Sequence, residues 1–226
     1  MDKKLVASTI DHAVLKPEAT DMDLDRECQL AVKYGVATVC VKPSHVELAS
    51  KLLSNSDVGV STVIGFPHGS TTTSCKVQES EEAIMNGAKE LDMVINIGKL
   101  LSENFDYVKK DIRRIVEVAH KKNVLVKVII ETSLLSDDMK VMACKLSEEA
   151  GADFVKTSTG FNGGGATLHD IKLMKGAVSP KIRIKASGGV KNLEQALGFI
   201  EAGCSRLGTS GTASIVGEEE GAEGSY

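Results

Sequence analysis

The sequence predicts a single (β/α)8 TIM barrel opened by a short N-terminal helix, on three observations. Short β-branched runs alternate with amphipathic stretches, the pattern that βαβ units produce. The runs number eight. No Pro- or Ser-rich linker divides the 226 residues, which suffice for one large α/β domain with a sizeable core.

Taken in order, strands are expected at 8–12 (STIDH), 35–41 (GVATVCV), 59–66 (GVSTVIGF), 90–97 (ELDMVINI), 124–132 (VLVKVIIET), 153–159 (DFVKTST), 182–188 (IRIKASG) and 205–210 (SRLGTS). Helical patterns lie between them, among them DLDRECQLAVKY, SCKVQESEEAIMNGA, NFDYVKKDIRRIVEVAHKK, SDDMKVMACKLSEEAG and NLEQALGFIEAG. Several open on Asp, Ser or Asn, the residues whose side chains cap free N–H groups. MDKKLVA supplies the opening helix, and EEAGADFVK and EAGCSRLG share an Ala-Gly helix stop before the next strand, a weak repeat. An open doubly wound sheet is the competing architecture. It fits less well, because no GxGxxG follows the first strand and polar residues recur at many strand ends. Residues 1–216 therefore read as the barrel, and the Glu- and Gly-rich 217–226 as a flexible C-terminal tail.

Composition narrows the function. A net charge of -4 without a long basic block argues against nucleic acid as a partner, although an acidic protein can still hold a local basic pocket for an anion. No apolar run approaches the roughly 20 residues that span a bilayer, and MDKKLVASTIDH lacks the apolar segment of a secretion signal. The expectation is a cytoplasmic protein with no membrane partner. Cys28, Cys40, Cys75, Cys144 and Cys204 are odd in number and free of CxxC, so most read as reduced core thiols. His12, His45, His68, His120 and His169 share no short ligand spacing, so neither a metal nor metal-dependent chemistry is expected.

Charges inside apolar strands carry the chemistry. Asp11, Asp92, Lys127, Lys156 and Lys185 each interrupt a hydrophobic run, and strand alternation lets each face the barrel axis. A buried ion-pair network is the ordinary explanation for any one of them. Lys156 and Lys185 strain it, because they fall near the ends of consecutive strands whose backbones lie roughly 4.8 Å apart. Two neighbouring ammonium groups disfavour each other's charge, and an apolar wall adds desolvation. One should be neutral near pH 7 and able to form a Schiff base. The iminium then serves as an electron sink for carbon–carbon cleavage without a metal or organic cofactor, with Asp92 moving protons. Cys40 lies within reach of the barrel mouth but reads as a small core hydrophobe. Asp11 and Lys127 read as an oriented ion pair beneath the reacting groups.

A second signal is the pair of glycine-bearing loops KASGGVKN (185–192) and LGTSGTAS (207–214), which follow the seventh and eighth strands. Phosphate sites of this fold use those loops. Gly188, Gly189 and Gly208 let N–H groups approach closely, while Ser210 and the start of SGTASIV offer further donors.

The segments ELDMVIN, VKVIIET, DFVKTSTGF, IKASGGV and RLGTSG, with STVIGFPHG and ATVCVKPSHV, resemble the deoxyribose-phosphate aldolase family in its shorter bacterial form, over nearly the whole chain. The resemblance implies a class I aldolase that interconverts 2-deoxy-D-ribose 5-phosphate with D-glyceraldehyde 3-phosphate and acetaldehyde. It implies Lys156 as the Schiff-base lysine, Lys185 as the lysine that lowers its pKa, and Asp92 as the proton-transfer group. Gly160, Gly188, Gly189, Gly208 and Ser210 would line the phosphate pocket, with Thr159 beside the substrate. Where some relatives place a lysine after TSTG this chain has Phe161, and Lys191 would supply some of that charge. A C-terminal tyrosine, here Tyr226, would enter the site and handle the proton at the enamine carbon. A homodimer is implied too. The competing functions are a sugar-phosphate isomerase or epimerase, which needs no paired lysines, and a non-catalytic phosphate-binding protein.

Overall fold

Eight parallel strands close on themselves in sequence order: β1 (Ile10–Val14), β2 (Thr38–Val41), β3 (Gly59–Ile64), β4 (Glu90–Val94), β5 (Leu125–Ile129), β6 (Phe154–Lys156), β7 (Arg183–Ser187) and β8 (Cys204–Thr209). β8 returns to β1 with Gly208 beside Asp11, which completes a (β/α)8 barrel. The computed structural model describes residues 2–217. Strands such as TVCV and LVKVI are buried almost throughout, since one face packs in the lumen and the other under helices.

The helices are α1 (Lys3–Ala7), α2 (Asp21–Tyr34), α3 (Val46–Leu52), α4 (Thr73–Met85), α5 (Ile97–Leu101), α6 (Phe105–His120), α7 (Asp137–Glu149), α8 (Leu168–Ala177), α9 (Leu193–Glu201) and α10 (Thr212–Val216). α6 shows why they dock: Val108, Ile112, Ile115, Val116 and Ala119 recur at helical spacing and are all buried. Asn104, Ser136 and Asn192 cap α6, α7 and α9, as their sequence windows predict. α2 and α4 start earlier than expected because threonines cap them. Thr20 forms a capping box with Asp23, and Thr72 accepts from the Cys75 N–H. The Ala-Gly stops hold as well, with Gly151 and Gly203 at φ +90° and +112° just past α7 and α9.

Several expected strands are too long or displaced. β1 starts at Ile10 because Ser8 still closes α1. β4 stops at Val94 because Asn96 caps α5, and β5 stops at Ile129 because Glu131 takes a left-handed backbone, φ 57°. β6 ends at Lys156, so the TSTG that follows belongs to the barrel mouth. α3, α5 and α8 add to the quoted helical patterns. Cys28, Cys40, Cys144 and Cys204 are buried, whereas Cys75 is exposed. Among the described residues no helix is long and apolar enough to cross a membrane.

Candidate active site

Strand register alone sets the central side chains side by side. Lys156 lies opposite Lys185 between β6 and β7, Asp92 opposite Lys127 between β4 and β5, and Lys185 opposite Arg206 between β7 and β8. All project into the lumen. Asp92 is the hub: one carboxylate oxygen accepts from both Lys156 and Lys185 at 2.7 Å each, and the other accepts from Lys127 at 2.7 Å. The Lys156 and Lys185 amines therefore stand no more than twice that distance apart. Lys185 also reaches Asp11 at 2.5 Å, and Lys127 reaches Glu90 at 2.5 Å and Asp11 at 3.3 Å. Arg206 closes the network on Asp11 and Glu90 at 2.5 and 2.8 Å. Thr38 donates to Asp11 at 2.8 Å.

These contacts sort the lysines. Burial pushes every lumen amine toward neutrality, but Lys127 and Lys185 are each held by at least two carboxylates, which outweigh it and raise their pKa above the ordinary lysine value. Among the described residues Lys156 bonds to Asp92 alone, and it faces Lys185. Burial therefore wins there, opposed by Asp92 and assisted by the Lys185 charge, and the amine falls below its ordinary range. Burial would raise the Asp92 carboxyl, yet the three lysines overcome it and hold that group well below the usual carboxylate range. The Cys40 thiol is pushed up by burial and by the Asp92 charge, which suits an inert thiol.

Above this lumen sit the loops that end β6, β7 and β8. Gly188 and Gly189 take consecutive positive φ values of 78° and 81°, and Gly160 takes 82°. A Cβ on Gly160 or Gly189 would meet no atom of the described residues within 4 Å. Gly208 differs, because a Cβ there would stand 2.8 Å from the Ser187 Cβ and 3.2 Å from the Lys185 Cε. Its lack of a side chain makes room for Lys185. Ser210 and Lys191 are exposed, and the Lys191 N–H donates to Gln195 at 2.9 Å. Thr159 is buried, with its hydroxyl donated to Glu131. Phe161 packs edge-on to Phe66 of the loop after β3, with ring centroids 5.2 Å apart.

Residues 5–214 match the model of the DeoC/LacD family aldolases. The chain belongs to the DeoC/LacD aldolase family. The chain is similar to deoxyribose-phosphate aldolases of Clostridium perfringens, at 52% identity over 215 residues covering 95% of this chain and 96% of that one, and of Thermococcus gammatolerans, at 52% over 220 residues covering 96% and 98%. Among solved structures, the tetrameric deoxyribose phosphate aldolase of Aeropyrum pernix superposes with a TM-score of 0.89 at 31% identity, covering 95% of this chain and 91% of that one.

In this DeoC/LacD aldolase the five lumen charges expected from sequence, Asp11, Asp92, Lys127, Lys156 and Lys185, form one connected cluster. The expected ion pair of Asp11 and Lys127 is present at 3.3 Å, and each partner also bonds to the Lys185–Asp92 centre, Lys127 to Asp92 and Asp11 to Lys185. Glu90 and Arg206 join the cluster without having been singled out. Glu90 stands two residues before Asp92, hence on the same strand face, and that alternation was the available signal. Glu131 was also missed; it ends VKVIIE at the mouth of the barrel, where a buried carboxylate grips the loop after Lys156. Among the described residues no three His, Cys, Asp or Glu side chains gather in a metal-holding group. Tyr226 lies outside the described residues.

Proposed function

We propose that the chain interconverts 2-deoxy-D-ribose 5-phosphate with D-glyceraldehyde 3-phosphate and acetaldehyde through a Schiff base on Lys156. The observation that carries this reading is the geometry of the lumen: Lys156 stands opposite Lys185 and bonds to Asp92, whereas Lys185 and Lys127 are each held by two or more carboxylates, so burial lowers the Lys156 pKa while the pKa of each neighbour is raised. A neutral amine attacks the C1 carbonyl, and loss of water from the carbinolamine gives an iminium. The C2–C3 bond then breaks as a base takes the C3 hydroxyl proton. Glyceraldehyde 3-phosphate leaves, and an enamine of acetaldehyde remains to be protonated at C2 and hydrolysed. Asp92, 2.7 Å from the Lys156 amine, is placed to exchange protons with these species. While Lys156 is neutral, one of the three cations that depress Asp92 is gone, so the carboxylate is a better base at the step that needs one.

Lys185 adds the repulsion that, after burial, lowers the pKa of Lys156. Gly160, Gly188, Gly189 and Ser210 offer backbone and hydroxyl donors for the phosphate, and Gly208 serves by admitting Lys185. Tyr226 enters the proposal on the resemblance alone. Its deletion should leave acetaldehyde capture intact and slow deuterium exchange at the acetaldehyde methyl group. We extend the reading to a cytoplasmic homodimer, whose mass sedimentation equilibrium measures. The deciding experiment is borohydride reduction with acetaldehyde and peptide mapping. An aldolase gains a reduced two-carbon adduct on Lys156, whereas an isomerase or a phosphate-binding protein gains none.

A further inference from the structure

Glu131 combines two features that rarely coincide. It is a fully buried carboxylate, and it is a non-glycine residue in the left-handed region, at φ 57° and ψ 67°. Glycine adopts that conformation freely and glutamate does not, so the backbone is strained to place this side chain. The flanking residues show where it is placed. The Ile130 N–H donates to the Lys156 carbonyl at 3.0 Å and the Thr132 N–H to the Thr157 carbonyl at 2.9 Å, so Glu131 is clamped beside the strand that carries Lys156. Its carboxylate accepts from the Thr159 N–H at 3.2 Å, from the Thr159 hydroxyl, and from Asn162 Nδ2 at 2.8 Å. Asn162 in turn donates to the Pro67 carbonyl at 3.4 Å, which ties this loop to the one after β3.

The consequence falls on Thr159. A hydroxyl has one proton to donate and two lone pairs. Here the proton is committed to Glu131, and one lone pair accepts the Phe161 N–H at 3.1 Å. What remains is a single acceptor. Such a group can receive a hydrogen bond from an alcohol, and it offers nothing to a carbonyl or a phosphate oxygen. We propose that Glu131 is a positioning residue that fixes Thr159 as a hydroxyl-reading acceptor, so that the site selects aldehydes carrying a free hydroxyl next to the carbonyl carbon. The carboxylate behind Thr159 also repels an anion, which directs the substrate phosphate toward the Gly188 and Gly189 side of the mouth. This selectivity rests on the aldolase reading.

The substitution Glu131→Gln keeps the size and turns one end of the side chain from acceptor to donor. Whichever way the amide sits, its NH2 faces a donor that the carboxylate accepted, the Thr159 N–H or the Asn162 amide, so the grip that fixes Thr159 is loosened. The test runs aldol additions of acetaldehyde to D-glyceraldehyde 3-phosphate and to its 2-deoxy analogue, 3-phosphooxypropanal, with kcat/KM measured for each. The wild-type preference for the hydroxylated acceptor should fall about tenfold in Glu131→Gln and in Thr159→Val, the loss expected when one neutral hydrogen bond is removed. Thr159→Ser should keep the preference, and the double variant Glu131→Gln/Thr159→Val should show no greater loss than Thr159→Val, because the carboxylate acts through that hydroxyl. Borohydride capture of acetaldehyde on Lys156 should persist in each, since acetaldehyde has no hydroxyl to read. A wild-type preference ratio in Glu131→Gln, or in Thr159→Val if the first variant does not fold, would overturn the inference. Wild-type protein that captures no acetaldehyde would overturn the aldolase reading, and this inference with it.

Discussion

Lys76 and Lys156 are both buried lysines bonded to an aspartate, and they sit on opposite sides of the barrel wall. Lys76 leaves α4 to meet Asp111 of α6 at 2.5 Å and the Val94 carbonyl at 2.8 Å, while Asp111 takes the Thr73 hydroxyl at 2.7 Å on its other oxygen. One cation faces one anion there, with the remaining valences met by neutral partners. Among the described residues of the lumen four cations, Lys127, Lys156, Lys185 and Arg206, share three carboxylates, Asp11, Glu90 and Asp92. One positive charge is in excess. Loss of a single proton balances the lumen, and Lys156 has the fewest carboxylate contacts to hold one. Burial by itself therefore does not make a lysine nucleophilic; an unmatched charge among buried neighbours does.

The largest expected effect follows from removing the unmatched amine. Lys156→Met should abolish acetaldehyde capture and lower turnover by roughly a thousandfold or more. The same substitution should stabilise the fold. An amine with a lowered folded-state pKa penalises folding below that pKa, and the penalty fades only as pH climbs toward the ordinary lysine value. Heat denaturation near pH 7 should then show Lys156→Met more stable than the parent by about 1 kcal/mol. Equal or lower stability would mean that the lumen holds no excess charge. Lys185→Met comes next. It removes the neighbouring cation and leaves Asp92 freer for Lys156, two changes of the same sign, so the Lys156 pKa should rise. Turnover at pH 7 should fall by about a hundredfold and recover with pH, moving the optimum upward by at least about one unit.

At the matched pair the sign should invert. Lys76→Met leaves Asp111 buried without its cation and should cost about 3–5 kcal/mol in denaturant titrations, whereas Lys76→Met combined with Asp111→Leu should recover most of that loss. Activity should follow stability here, because Lys76 underlies the loop after β3: a Cβ on Gly65 would stand 2.8 Å from the Lys76 Cε. A double variant as unstable as the single would make the pair indispensable for shape rather than for charge. Smaller still is Ser210→Asp at the exposed rim. An added anion should raise KM for deoxyribose 5-phosphate about tenfold and leave unphosphorylated deoxyribose nearly unaffected. Equal losses on both would count against a phosphate site in these loops.

Sequence reading found the unmatched site more easily than the matched one, and for a physical reason. A lysine inside VKVII or DFVKT breaks a β-branched run and is conspicuous, so Lys127, Lys156 and Lys185 stood out with their strands. Lys76 lies in SCKVQESEEAIM, where a charge every few residues is what a solvated helix face looks like. Only the packing of α4 on α6 makes it buried. Arg206 and Asp11 stand 195 positions apart and meet because β8 closes on β1, a contact that strand order in the chain does not display. Lys127 and Asp11 likewise belong to strands far apart in the chain and meet across the lumen at 3.3 Å. Glu131 was hidden differently: its role depends on a left-handed backbone that its residue type does not announce.

If the lumen responds to its total charge, substitutions away from Lys156 should move its titration in opposite directions according to sign. Glu90 and Arg206 provide the pair, since both contact other members of the network rather than Lys156 itself. Glu90→Gln deletes an anion and raises the excess to two, which disfavours the Lys156 proton further and should shift the rise of activity to lower pH. Arg206→Gln deletes a cation, removes the excess, and should shift it to higher pH. At roughly 10 Å and an effective dielectric constant near 20, a unit charge changes the proton's free energy by about 1–2 kcal/mol, so each shift should be about one pH unit at most. The pH dependence of kcat/KM reads the free enzyme and is the quantity to compare. Shifts of opposite sign would tie the reactivity of Lys156 to the charge of the whole cluster, while two shifts of the same sign, or none, would leave only Asp92 and Lys185 in control.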